Sequence, residues 1–513
     1  MSTGEGEGPL AGYLDKLVKA FGRERILTDP EDLYVYSFHG EFGARRRGTP
    51  VAVVRRITEE EEGRLEELSE TWGLAVLRND EPGGRIGGES KFVLVDSREA
   101  LGSDGLRGML EELREAALEV KRSLKGASSL PGWFVSSLKA RDGYRIGERP
   151  DSDNGFCTVA PFFDGVETYG SKGRMLLSRG LLCGELEATD KVVDSLFTCT
   201  ACGLCYDQVS LEELKVNNAI VRARHEVVER EQGPRESRSL LNNILETGNP
   251  IGMNPEDRVL WYEDLAEEFP FEGDGVLYWT GCSTSFRLPN VVKATAGVLE
   301  EADCRFGLLG EDEGCCGLIL YLLGLWDEAR ENAIKLTGSL EEKGVKELVT
   351  GCAGCYYAFT RVYKRLGVET PFEVRHTSQT MESLLGDGGL RPRKLEGSYV
   401  WHDPCDLGRH SRVYEAPRRV LKSIPGITIK EPPLSGEHAL CCGGGGGLMM
   451  YDIGLAEKVA HAKLVDEISP MGVDGIVTGC PACILNLRHS AQEAGLEIKV
   501  LDLSEILLRS LRA

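Results

Sequence analysis

Two sets of five cysteines occupy the second half of this chain: Cys282, the adjacent Cys315 and Cys316, then Cys352 and Cys355, followed by Cys405, the adjacent Cys441 and Cys442, then Cys480 and Cys483. Corresponding members lie 123, 126 and 128 residues apart. Thiolates are soft metal ligands and redox-active groups, so both sets are candidates for metal binding and for catalysis. Five ligands exceed the four of a tetrahedral structural zinc. Two adjacent thiolates diverge from one backbone and sit awkwardly on a single ion, yet each can reach a different iron of one cluster. The spacing therefore implies an iron–sulfur assembly with five thiolates. The second pair runs into five consecutive glycines, residues 443–447. Glycine costs about 0.5–1 kcal/mol in a regular element, so such a run needs a compensating use. Without Cβ atoms, the backbone at Gly317, Gly443 and Gly444 can approach the cluster and offer N–H groups to sulfur.

A third group, Cys199, Cys202 and Cys205 in FTCTACGLCYDQVS, has the C-x-x-C-x-x-C spacing of a bacterial ferredoxin and predicts a cubane [4Fe-4S] cluster. The fourth cysteine of such a run would fall at Val209, and its proline at Ser210. That cysteine ligates the other cluster of two-cluster ferredoxins, so a second cubane is not expected. The fourth ligand of the first is Cys157, in GFCTVAP, or its rival Cys183, on a helix-like segment where a buried apolar cysteine is the ordinary alternative. Cys304 reads as a core residue.

These cysteines must be carried by a chain of 513 residues, enough for three or four domains at about 150 each. The opening MSTGEGEGPL is polar, and no apolar run of about 18 residues follows. Sixteen cysteines in such a chain are expected as ligands rather than disulfides, and the location as cytoplasmic, with membrane association only through a partner. With 60 basic and 82 acidic side chains the net charge is −22, which argues against a nucleic-acid footprint.

VTGCAGCYYAF from Val349 parallels VTGCPACILNL from Val477, so the cysteine sets mark two copies of one module of about 125 residues. Each copy alternates apolar strand patterns (VLYWTGC, YVWHDPC) with amphipathic helices and ends a strand at Cys-x-x-Cys, predicting α/β units with cysteines at strand ends. The predicted domains are 1–125, 126–256, 257–390 and 391–513.

The doubled pattern of a cysteine, Cys-Cys-Gly and Cys-x-x-Cys resembles the CCG-domain family, which includes heterodisulfide reductase catalytic subunits and the iron–sulfur subunits of glycolate and lactate oxidases. HDPCDLGRHSRVYEAPRRVLKSIPG from His402 and CCGGGGG from Cys441 are similar to the second module of a heterodisulfide reductase catalytic subunit, and the likeness extends over roughly 155–513. The resemblance implies a helical ferredoxin-like domain with one cubane, then two tandem α/β CCG modules. Each module would hold a non-cubane [4Fe-4S] cluster on its five cysteines, and a disulfide substrate would be reduced between them. SKGR from Ser171 and LLSRGLLCGELEATD resemble the family's linker between ferredoxin motifs. The family often has histidine after the HDPC cysteine, where this chain has Asp406, a departure that bears on substrate or proton handling.

ILTDPEDLYVYSFHG and the segment after it resemble the start of the FAD-binding domain of the glycolate-oxidase flavoprotein family. Where that family cradles pyrophosphate, RNDEPGGRIGGES carries Asp80 and Glu81, whose charge would repel it. The opening is therefore expected to be a degenerate α+β fragment that binds no FAD and docks a flavoprotein partner. Two functions follow: an oxidoreductase that splits a disulfide or forms one from thiols, or an electron relay between a flavin-dependent 2-hydroxy-acid dehydrogenase and an acceptor, for instance a membrane cytochrome subunit. His402, His410 and His438, around Cys405 and the second pair, read as structural hydrogen bonders rather than ligands.

Overall fold

The computed structural model describes residues 9–36, 50, 52–55, 59–70, 75–78, 92–96, 157–163, 166–207, 216–273 and 275–513. Asp80, Glu81, Val209 and Ser210 lie outside them. The chain forms two compact units, one of residues 1–195 with 208–219 and one of residues 196–207 with 220–513.

In the first unit, strands β1 (Ile26–Leu27), β2 (Ala52–Arg55), β3 (Ala75–Arg78) and β4 (Phe92–Asp96) form one sheet in the order β1-β2-β4-β3, antiparallel only at β1. The helix Pro9–Phe21 places Tyr13, Leu17 and Phe21, spaced by one helical turn, in one core with Ala52, Val54 and Leu65. The helix Pro30–Tyr36 is tied to later helical segments. Lys191 bridges Asp29 and Asp32, and Arg179 holds both the Tyr34 hydroxyl and Glu185.

The second unit contains two four-stranded sheets, all parallel. The first has strands β5 (Val276–Trp279), β6 (Phe306–Gly307), β7 (Glu347–Thr350) and β8 (Glu373–His376) in the order β6-β5-β7-β8. The second has β9 (Gly397–Trp401), β10 (Ile427–Lys430), β11 (Gly475–Thr478) and β12 (Lys499–Asp502) in the order β10-β9-β11-β12. Counted within each copy the order is 2-1-3-4 twice, so the repeated text builds a repeated topology. The runs LVT of β7 and GIVT of β11 are wholly buried, as parallel strands covered on both faces require.

The copies exchange contacts. The helix Pro289–Glu301 of the first packs on the last helix of the second, Leu503–Leu511, where Gly297 lets Leu508 come close. In return the helix Glu415–Lys422 packs on Thr377–Gly386. An Arg–Glu pair accompanies each contact, Arg512 with Glu301 and Arg419 with Glu382. Cys282, Cys352, Cys405 and Cys480 all lie just past the carboxyl ends of parallel strands, where open α/β sheets bind ligands.

His376 joins the copies. Its Nδ1 accepts from the Ser378 amide at 3.2 Å, capping the helix Thr377–Gly386, so Nε2–H donates to the Gly479 carbonyl at 3.0 Å. Burial holds its pKa down to about 4. Because the folded value lies below that of a free histidine, about 6.5, the unfolded chain takes up the proton first. Its contribution is complete above that value and is lost as pH falls toward 4. Denaturation midpoints at pH 7.5 and 4.5 should show wild type losing up to about 3 kcal/mol more than His376→Gln. Parallel losses would exclude His376 as the cause.

Candidate metal centres

In the first module, β5 ends at Trp279 and Cys282 opens the short helix Cys282–Arg287. Gly281 turns the chain there at φ 78°, and a Cβ on it would lie 3.3 Å from the Cys355 Sγ. The five thiols interact in one continuous series: Cys282 with Cys315, Cys315 with Cys316, Cys316 with Cys355, and Cys355 with Cys352. Cys316, which accepts from Cys315 and Cys355, has its pKa pulled down to about 6, whereas Cys282 and Cys355 are pushed up by neighbouring thiols and burial. Backbone amides point at sulfur, from Gly317 to Cys315 at 3.3 Å and from Cys355 to Cys352 at 3.5 Å.

The second module repeats this. Cys405 meets Cys441, Cys441 meets Cys442, Cys442 meets Cys483 with the sulfurs 3.1 Å apart, and Cys483 meets Cys480. Gly443 donates its backbone N–H to the Cys441 sulfur and Gly444 to the Cys442 sulfur, both at 3.4 Å. No disulfide joins any of the sixteen cysteines. Two five-thiol chains, buried except at the partly exposed Cys352 and Cys405 and lined by amide donors, fit sulfur-ligated metal clusters.

Each module locks its cysteine loops with a buried carboxylate two residues before a cysteine. Glu313, two before Cys315, accepts from the Thr280 and Gly281 amides at 2.8 and 2.7 Å and pairs with Arg258 at 2.9 Å, and Arg258 also reaches the Cys282 Sγ at 3.8 Å. Asp403, two before Cys405, takes both arms of Arg418 at 2.7 Å, the Trp401 indole at 2.9 Å and the Gly436 amide at 2.8 Å. Burial alone would raise the pKa of Asp403, but Arg418 and the other donors prevail and lower it.

Asp406 stands between the two sets. Burial pushes its pKa up to about 6, and it lies 3.9 Å from the Cys405 Sγ. A Cβ on Gly354, in the Cys-x-x-Cys of the first module, would be 3.6 Å from Asp406 Oδ2 and 3.7 Å from the Cys352 Sγ. Nearby, Tyr357 of the first module stacks on His410 of the second, with centroids 4.8 Å apart.

The loop carrying Cys199, Cys202 and Cys205 belongs to the same compact unit as both modules. Ala201 at φ 48° and Gly203 at φ 75° curl it, and the Ala201 amide donates to the Cys199 Sγ at 3.3 Å. It seats on the second module. The Cys202 and Cys441 thiols interact, Arg409 donates to the Cys202 carbonyl at 2.7 Å, and His410, kept neutral by burial, donates to the Ala201 carbonyl at 2.9 Å. Arg224 is fully buried where three parts of the unit meet. It donates to the carbonyls of Leu196 at 2.8 Å and Cys199 at 2.5 Å, and to those of Leu322 in the first module and Gly446 in the glycine run, both at 2.8 Å.

Sequence reasoning missed Arg224, Arg258, Arg409 and Glu313. Arg224 had a signal, since in VNNAIVRARHEVVE it shares the apolar stripe of Ile220 and Val227, the wrong place for a solvated arginine. Cys157 lies in the first compact unit, with Arg174 Nη1 at 3.4 Å from its sulfur. Cys183 caps the carboxyl end of the helix Ser171–Leu182, and burial raises its pKa. Cys304 is only partly buried, at the margin of the core around Val292 and Phe306. Among the described residues, no helix is long and apolar enough to cross a membrane.

Residues 276–360 and 399–488, the two thiol-bearing repeats, each match the family model of the cysteine-rich CCG domain. The chain belongs to this family of iron–sulfur oxidoreductases. Among its relatives is a subunit of the dihydromethanophenazine:CoB–CoM heterodisulfide reductase of Methanosarcina barkeri, 31% identical over 67% of this chain and 84% of the relative. A probable iron–sulfur-binding oxidoreductase of Bacillus subtilis, FadF, is 30% identical over 62% of this chain and 46% of its own length. The EtfAB:quinone oxidoreductase of Syntrophomonas wolfei is 29% identical over 62% of this chain and 47% of its own length.

Proposed function

We propose that this iron–sulfur protein is an oxidoreductase of heterodisulfide-reductase type, which takes electrons from a flavoprotein or other donor subunit and reduces a disulfide, or runs the reverse. The observation that carries this reading is the meeting at Gly354, where the Cys352 sulfur of one set and the Asp406 carboxylate beside Cys405 of the other converge on one point. In the same reading, Cys199, Cys202 and Cys205 are ligands of a cubane, and each five-cysteine set holds a non-cubane [4Fe-4S] cluster. The clusters would supply one-electron steps and iron able to take a substrate sulfur. The balance is one disulfide, two electrons and two protons giving two thiols. Asp406, raised toward neutrality, is placed to deliver a proton at the gap between the sets. The amino-terminal fragment would bind no FAD and serve docking, and a membrane would be reached only through a partner.

Anaerobically prepared protein should hold about twelve irons with matching labile sulfide, if each of three clusters carries four. It should also reduce a small-molecule disulfide with a reduced viologen dye. Fewer than about five irons, or stoichiometric zinc, would defeat the assignment. Full iron without turnover on any thiol or disulfide pair would favour the second reading, a relay subunit for a flavin dehydrogenase. The likeness to the EtfAB:quinone oxidoreductase supports that alternative.

A further inference from the structure

Trp279 and His402 each stand three residues before the first cysteine of their set, at the end of β5 and just past β9. Both are buried, at 0% and 2% exposure, yet neither the indole Nε1 nor either imidazole nitrogen has a hydrogen-bond partner. An unpartnered buried donor is costly, and natural cores rarely keep one. Two rings of different chemistry, at the same place in both copies, share the deficit. The fold can satisfy an indole nearby, since Trp401 spends its N–H on Asp403.

The two rings also lie among equivalent cysteines. A ring nitrogen of His402 and the sulfurs of Cys442 and Cys483 all lie within 4.8 Å of one another. Trp279 shares its buried cluster with Cys316 and Cys355, the counterparts of that pair in the first module.

We propose that Trp279 and His402 are positioning residues that donate ring N–H groups to the sulfur of the metal centre held by their own cysteine set, an inference that rests on the iron–sulfur reading. A hydrogen bond to cluster sulfur stabilises the reduced, more negative form, so each ring raises the potential of its own cluster. Tryptophan only donates, whereas neutral histidine donates from one nitrogen and keeps a lone pair on the other, so the two modules are tuned by different donors.

The test compares wild type with Trp279→Phe, His402→Phe and His402→Gln in full-length protein. Iron content, EPR-monitored redox titration and nitrogen hyperfine coupling with labelled histidine are the readouts. Each phenylalanine variant should keep its iron while the reduced-to-oxidised ratio of one cluster, at fixed potential, falls about tenfold and that of the other stays in place. His402→Gln, which restores an N–H, should recover part of the change. Nitrogen coupling from His402 should be weak. Unmoved potentials in iron-replete variants would overturn the proposal, as would strong nitrogen coupling or loss of one cluster in His402→Phe, both of which mark a ligand rather than a donor. Wild type without iron would instead remove the reading beneath it.

Discussion

Cys316→Ser and Cys442→Ser are each expected to abolish viologen-driven disulfide reduction while leaving the proposed cubane on Cys199, Cys202 and Cys205 reducible. Both cysteines sit mid-chain in their sets, Cys316 between Cys315 and Cys355 and Cys442 between Cys441 and Cys483. Losing either opens its thiol chain in the middle. If a disulfide is cleaved between the two sets, each must take one sulfur, so neither set can stand in for the other. The double variant should then be no worse than either single one, because residues that act as one unit do not have additive effects. A relay behaves differently, since it needs one continuous path and a set lying off that path could be lost with little effect on transfer from a flavoprotein. Iron must be counted in each variant, because metal binding and folding are coupled and an unfolded module would mimic lost chemistry. A fall of about four irons with the ferredoxin-type signal intact is the expected pattern.

The features legible in the sequence were those carried by local pattern. The strands that lead into Cys352 and Cys480 announced themselves as β-branched runs closing on glycine, and both lie in parallel sheets. The repeat of about 125 residues was visible in its cysteines and is present as two sheets of identical order. Long-range features were not legible. Arg224 joins Cys199 to Leu322 and to Gly446, the latter 222 residues from Arg224 in the chain, and no window of sequence reveals such a junction. The exchange of helices between the copies was equally hidden, because Leu508 and Gly297 look like ordinary core residues until they meet. Asp406 stood out as a departure from a family pattern, but only the fold shows that it faces the other module.

Gly446→Ala should be severe where Gly445→Ala, one residue away, should be nearly silent, and the contrast tests what the glycine run is for. Gly445 has nothing within 4 Å of where its Cβ would stand. Gly446 has φ +69°, and its Cβ would overlap the Thr200 carbonyl in the loop of Cys199 and Cys202, while its own carbonyl accepts from Arg224. The left-handed backbone and the overlap together should cost about 2–4 kcal/mol. Relief requires the loop to lift away from Arg224 and part the Cys202 and Cys441 thiols. Lifting the loop lengthens the path between it and the second module, so electron passage from a pre-reduced loop cluster into that module, followed by freeze-quench EPR, should be slower in Gly446→Ala than in wild type or Gly445→Ala. Both clusters should remain loaded, since every cysteine is retained. If the two alanine variants behave alike, the run is a flexible hinge and the close seating of the loop carries no electrons. If only Gly446→Ala fails, the glycines serve to let one cysteine loop rest on another without side chains between them.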